Sequence, residues 1–323
     1  MKKLTPKALI RLIGIGLLIF ILFKIDWIEF KESLKQIKIL PLIYSALLLL
    51  PLYIFKVLRW RYLLSVQQIN YSFKNSFLAF LASNYIAFIT PGRLGEVAKA
   101  FYVKGDLRIN IAKSMPSVIF DRLFDVYVLL AVGLTGLIHY LPIKDFGIVF
   151  WIIIIFIIIC PVFLLSKRLI FALLKSFNII NLRIKGKPVY GFLENFYKEV
   201  NILINFKLII GLFLTLAAYG ILYYSGLQMA HAINLNINYF TIAVFISVAN
   251  ILSFIPISVS GIGTREASLI YLFSLIGQTK EAAILFSTLL FFVFFIIGGI
   301  YGFIAYLIKP IDIKSVMRNR ESG

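Results

Sequence analysis

Cysteine and histidine are almost missing from this chain, and acidic residues are outnumbered by basic ones more than two to one. A single thiol, Cys160, excludes an internal disulfide, and two histidines, His139 and His231, are too few for a metal cluster. There is no serine or cysteine nucleophile with a neighbouring histidine, and no Walker or dinucleotide-type glycine motif. Neither enzymatic activity nor a cofactor or metal is therefore expected. The longest absence is of charge: from Leu208 to Thr264 the chain has no Lys, Arg, Asp or Glu. A soluble core needs no such run, whereas one bilayer crossing needs about 20 apolar residues.

What is present fits that absence. Hydrophobic residues make up 61% of the 323 positions and charged ones 15%, where a soluble domain is nearer about half and about a quarter. The mean hydropathy is +0.96. Only helices and closed barrels satisfy their backbone in lipid, and these runs have helix length, so the fold class is an all-α polytopic membrane protein. The net charge of +19 raises the question of nucleic acid. Its Lys and Arg residues are spread through short loops between apolar segments, which is how charge fixes orientation across a membrane, so membrane lipids rather than nucleic acid are the expected partners. Lys2, Lys3, Lys7 and Arg11 precede an apolar stretch ending at Phe23, but Lys24-Ile25-Asp26-Trp27 follows without a small-residue cleavage site. A retained first span is expected, not a removed signal.

Residues 1–310 read as a single transmembrane domain, with a short basic cytoplasmic tail at 311–323. Full spans are expected at 8–23, 39–55, 117–138, 146–165, 208–229 and 282–308. Two further apolar regions, 76–104 and 239–277, are interrupted by Thr90-Pro91-Gly92-Arg93 and by Pro256 through Gly263. At about 1.5 Å per residue none of their short pieces crosses a core of about 30 Å, so each reads as a broken, re-entrant helix pair. The stretch before residue 11, the stretch holding Lys56, Arg59, Arg61 and Lys74, the stretch holding Lys104, Arg108 and Lys113, the 167–207 loop and the end after Lys309 are basic and are assigned to the cytoplasm. The stretches 24–38, 139–145, 230–238 and 278–281 are assigned outside. This puts both termini inside the inner (plasma) membrane, with the first hairpin entering from the cytoplasm and the second from the outside. If each hairpin crossed twice the parity would be unchanged, so the count of crossings lies between six and ten. Within 167–207, residues 189–204 alternate at helical spacing, which fits either a helix lying on the membrane face or one packed on the cytoplasmic ends of the spans.

The two interruptions resemble each other. Asn84, Phe88, Pro91, Gly92, Arg93, Gly95 and Glu96 parallel Asn250, Phe254, Pro256, Gly261, Gly263, Arg265 and Glu266. Similar Gly/Pro-broken segments in opposite orientations mark the binding site of an inverted-repeat transporter. Charges inside spans cost roughly 2.5 to 3.5 kcal/mol each and mark function or paired contacts. Here they are Arg93, Glu96 and Lys99 in the first hairpin, Asp121, Arg122 and Asp125 in the next span, and Arg265 and Glu266 in the second hairpin. These four cations and four anions are able to neutralise one another without a ligand. Alternatively, Arg93 and Arg265, each at the start of a resumed half-helix, form an anion site with the unpaired N–H groups there, and Gly95, Gly261 and Gly263 let the backbone approach the ligand. Asp121 and Asp125, four apart on one helix face, either pair with Arg122 and the hairpin arginines or hold a counter-cation or proton.

Arg59-Trp60-Arg61, Pro91-Gly92-Arg93-Leu94-Gly95-Glu96, Asp121-Arg122-Leu123-Phe124-Asp125 and Pro256 through Gly261-Ile262-Gly263-Thr264-Arg265-Glu266 together resemble the lysylphosphatidylglycerol synthase transmembrane family, also called the flippase-like domain family. The resemblance covers nearly the whole chain. It implies movement of a lipid between leaflets, with phospholipids or polyprenyl-phosphate carriers as substrates, and links to envelope-glycan enzymes or homo-oligomers as partners. Relatives that make aminoacyl-phospholipids join this region to a large cytosolic aminoacyltransferase. Only about fifteen residues follow the last span here, so lysyl-lipid synthesis is not expected of this chain. The alternatives to a flippase are a non-transporting subunit that scaffolds or regulates a lipid-modifying enzyme, and a membrane-embedded transferase with Asp121 or Glu96 as base.

Overall fold

The computed structural model describes residues 34–140, 165–176, 183–184, 187–254 and 263–311, with positions 28, 32, 155 and 159. The expected span 8–23, nearly all of 146–165, the segment from Pro256 to Ile262 with Gly261, and the tail after residue 311 lie outside the described residues. Within them the chain is helical apart from one two-residue ladder.

In chain order, α1 (Ile39–Leu47) and α2 (Leu49–Val66) form one span of 28 residues interrupted at Leu48. The expected end at residue 55 is therefore corrected: the helix continues through Lys56 and Arg59 to Val66. Those two cations had been assigned to a cytoplasmic loop, but burial and paired carboxylates keep them inside the bundle. Helix α3 (Phe73–Ile89) starts where Ser72 Oγ accepts from the Asn75 N–H at 3.3 Å. It stops at Thr90, which is extended because the residue before a proline is driven out of the helical region. A 3₁₀ segment (Pro91–Val97) follows, then α4 (Ala98–Leu107). Helix α5 (Ile111–Tyr140) is 30 residues long, roughly 45 Å. After it come α6 (Lys167–Ser176), the antiparallel β1 (Arg183–Ile184) and β2 (Lys187–Pro188), and α7 (Val189–Leu203). Helix α8 (Leu208–Ala232) spans, α9 (Tyr239–Phe254) and α10 (Thr264–Ser274) form the second broken pair, and a last span joins α11 (Lys280–Phe291), a π-helical turn (Phe292–Ile297) and α12 (Gly298–Ile308).

Contacts at the two ends of α5 fix how the broken pairs lie. Asp106, at the end of α4, accepts from Tyr71, just before α3, and from Lys309, just after α12. Both ends of the first pair therefore sit at the α5 N-terminal end, so this pair re-enters rather than crosses. Burial and the adjacent Asp106 hold the Tyr71 hydroxyl above its usual range, keeping it a neutral donor. At the other end of α5, Tyr140 meets Thr241 hydroxyl to hydroxyl at 2.5 Å and packs on Phe245. Phe245, near the start of α9, stacks on Phe273, near the end of α10, with ring centroids 5.5 Å apart. The second pair thus opens at the opposite end. The two hairpins enter the bundle from opposite ends of α5.

The helices approach closely where side chains are small, as expected where lipid gives no hydrophobic drive between helices. A Cβ on Gly302 of α12 would stand 2.7 Å from the Leu81 carbonyl oxygen of α3. Phe196, Tyr197, Val200 and Leu203 of α7 are buried against Leu63 of α2 and Ala112 and Phe120 of α5. That face of 189–204 accordingly packs on the helix ends, the second of the two readings from sequence.

Candidate functional site

The polar centre is built first on α2 and α5. Arg59 is wholly buried, and its Nε donates to Asp121 Oδ1 and its Nη1 to Asp125 Oδ1, each at 2.7 Å, with Thr215 Oγ1 of α8 accepting from Nη1 at 3.1 Å. Lys56, three residues earlier and so on the same face, reaches Asp125 Oδ2 at 3.1 Å. From α4, Lys99 bridges Asp121 Oδ2 at 2.6 Å and Glu96 Oε2 at 3.2 Å. Arg122 pairs with Glu96. Asp121 and Asp125 fall roughly 15 and 21 Å along the roughly 45 Å of α5, which is the middle of the span. Each neighbour of Arg59-Trp60-Arg61 also has a partner: Trp60 Nε1 donates to Ser117 Oγ at 3.2 Å, and Arg61 Nε to the Tyr71 carbonyl at 3.0 Å.

This arrangement corrects two expectations. Asp121 and Asp125 pair with Arg59 and Lys56 of α2 and with Lys99 of the first hairpin, not with Arg122, Arg93 or Arg265, because α2 and α4 both bring cations to their face of α5. The four-against-four balance is also wrong once Lys56 and Arg59 are included. Among the described residues Lys56, Arg59, Arg93, Lys99, Arg122 and Arg265 are six cations against the four carboxylates Glu96, Asp121, Asp125 and Glu266, a surplus of two positive charges. Sequence reasoning missed Lys56 and Arg59. The signal was there: apolar residues continue to Val66, and the spacing of 56 and 59 puts both cations on one helix face.

Beside this network lies a cavity of about 100 Å³, lined by Lys56, Glu96, Arg122 and Asp125 from the network and by Arg93 and Arg265 from the hairpins. Asn84 and Asn250, matched in the two hairpin sequences, also line it. Arg265 is held by Glu266, Nη2 to Oε1 at 2.6 Å, and by Ser287, Nε to Oγ at 2.8 Å. Arg93 has no ion pair or side-chain hydrogen bond among the described residues. Its guanidinium lies 5.8 Å from the Phe88 ring centroid and 5.5 Å from that of Phe295. Arg265 lies 5.7 Å from the same Phe295 ring. Phe295 belongs to the π-helical turn, a rare element that often sits at functional sites. Arg93 also has a left-handed backbone, φ 56°, and strain of that kind persists only where surrounding structure enforces it.

Arg265 stands in the first turn of α10, as expected, whereas Arg93 does not stand at the start of α4. Arg93 stands inside the 3₁₀ segment, ahead of the α4 start at Ala98, because Gly95 folds that segment onto α3: a Cβ there would stand 2.5 Å from the Ile86 carbonyl carbon. The absence of a Cβ at Gly95 is what lets this segment pack on α3. At α10, the N–H of Gly263, itself at φ 88°, already donates to Glu266 Oε2 at 2.6 Å.

Fold and centre together define a polytopic helical membrane protein with opposed re-entrant hairpins closing on a charged cavity at mid-depth. The chain belongs to the lysylphosphatidylglycerol synthase TM region family, which matches residues 9–302, and so is a membrane protein related to lipid handling. No curated protein and no solved structure matches it.

Proposed function

We propose that the protein is a flippase or transporter that moves an anionic phosphate-bearing lipid, a phospholipid or a polyprenyl-phosphate-linked carrier, between the leaflets of the inner membrane. The observation that carries this reading is Arg93, a cation at mid-span that faces a cavity and stacks only on aromatic rings. A charge held at that depth without a carboxylate is costly unless something else compensates it. The headgroup would bind between Arg93 and Arg265 while the acyl or prenyl tails stay in lipid. The cavity carboxylates Glu96 and Asp125 are both engaged in ion pairs, which favours carriage over chemistry. The basic end of α5, with Lys74, Lys104, Arg108 and Lys113 beside it, faces the cytoplasm in this reading.

Reconstitution tests it. Purified protein in liposomes should speed the exposure of an inner-leaflet fluorescent phospholipid to an external quencher, and Arg93→Gln should remove most of the gain. An equal acceleration in Arg93→Gln would reject the headgroup role of Arg93, and no acceleration with any anionic lipid would reject the transport reading and leave the scaffold alternative.

A further inference from the structure

The geometry points to a dianionic phosphate as the group this cavity takes: the headgroup is a terminal phosphomonoester rather than a phosphodiester. This rests on the reading of the cavity as a headgroup site and narrows its substrate class.

Charge decides the matter. Ion pairing in the centre proceeds until every carboxylate is used. Asp121 meets Arg59 and Lys99, Asp125 meets Arg59 and Lys56, Glu96 meets Lys99 and Arg122, and Glu266 meets Arg265. Six cations then remain balanced by four anions. The hairpin segment outside the described residues, 255–262, contains no charged residue in sequence and cannot alter this count. A phosphodiester brings one negative charge and leaves one cation uncompensated at low dielectric, where an unpaired charge is heavily penalised. A phosphomonoester carries between about 1.5 and 2 negative charges near pH 7 and closes the balance.

Donor geometry agrees with charge. Arg93 and Arg265 reach the cavity from opposite hairpins and share Phe295 between them, at 5.5 and 5.7 Å from its centroid. Their guanidinium carbons are therefore separated by no more than the sum, 11.2 Å. Arg122, also on the cavity wall, keeps a buried Nε without a hydrogen-bond partner among the described residues. A phosphomonoester has three terminal oxygens to accept from donors on several sides, one more than a phosphodiester offers.

The test compares lipids with the same tails. Purified wild-type protein in neutral detergent is titrated with phosphatidic acid, with phosphatidylglycerol or with inorganic phosphate, and the rise in its melting temperature is read as occupancy. Phosphatidic acid should half-saturate at a concentration at least about tenfold below phosphatidylglycerol, the effect of about one more charge-assisted contact. Arg93→Gln should bring the two lipids to within about twofold of each other, because its centre then carries one surplus charge. Equal affinity of the wild type for both lipids would overturn the dianion inference and leave the anionic-lipid reading standing. Protection by neither lipid would overturn both. Protection by inorganic phosphate as strong as by phosphatidic acid would support the dianion and overturn the lipid headgroup as its source. The wild-type comparison decides even if Arg93→Gln fails to fold.

Discussion

Arg59 and Arg93 bring the same group into one polar centre and meet opposite surroundings. The Arg59 guanidinium lies between two carboxylates and a hydroxyl, with no solvent contact. Its removal would leave Asp121 and Asp125 each with a lysine alone, so Arg59→Gln should cost about 3 kcal/mol or more, the scale for breaking a buried ion pair. Arg93 touches rings and cavity, and Arg93→Gln should cost only about 1 kcal/mol, the scale of partly desolvated cation–π contacts. Thermal melts of the two variants in the same detergent should show Arg59→Gln melting well below Arg93→Gln. The reverse order would mean that Arg93 is the structural arginine. Lys at position 93 keeps the charge and loses the planar fork, so transport by Arg93→Lys should fall between wild type and Arg93→Gln in the liposome assay.

At the scale of elements, the broken hairpins depend on glycines where backbone meets backbone. A methyl at Gly95 would press on the Ile86–Ala87 peptide, and one at Gly302 on the Leu81 carbonyl and the Tyr85 side chain. Neither neighbour is the end of a flexible chain. Gly95→Ala and Gly302→Ala should each cost about 1–3 kcal/mol, the usual cost of overpacking. Gly191 in α7 has nothing within 4 Å of its Cβ position, so Gly191→Ala should be neutral or slightly stabilising through helix propensity. Chemical or thermal denaturation of the three variants decides this, and equal stability for all of them would sink the packing account. The interruptions themselves were legible: an apolar run too short to cross, then Pro91. The 3₁₀ course of Pro91–Val97 was not, because it follows from the contact with α3 and not from any residue's propensity.

For the whole molecule, the inverted hairpins predict which loops share a side. Asn110 lies beside the start of α5, and Thr279, which caps α11 through its hydroxyl at 3.2 Å from the Ala282 nitrogen, lies beside the opposite end. In a Cys160→Ser background, a cysteine at 110 should react with an impermeant thiol reagent only from the cytoplasmic side. A cysteine at 279 should react only from the other. Labelling of both from one side would overturn the arrangement.

The sequence by itself determined membrane residence, helical class, the interruption at Pro91 and the opposed insertion of the two hairpins. These follow from composition, run length and loop charge, which are local and need no partner. Its account of the centre was partial. It named Arg93, Glu96, Lys99, Asp121, Arg122, Asp125, Arg265 and Glu266, but gave Asp121 and Asp125 either Arg122 and the hairpin arginines or a counter-cation as partners and left Lys56 and Arg59 in a loop. Only the tertiary structure decided the pairing, because Arg59 and Asp121 are 62 residues apart and meet only when α2 packs on α5. In a low-dielectric interior each carboxylate takes the nearest cation, and which cation is nearest is a property of helix packing. The surplus of two positive charges, and the meeting of Arg93 with Arg265 at Phe295, follow from that packing alone.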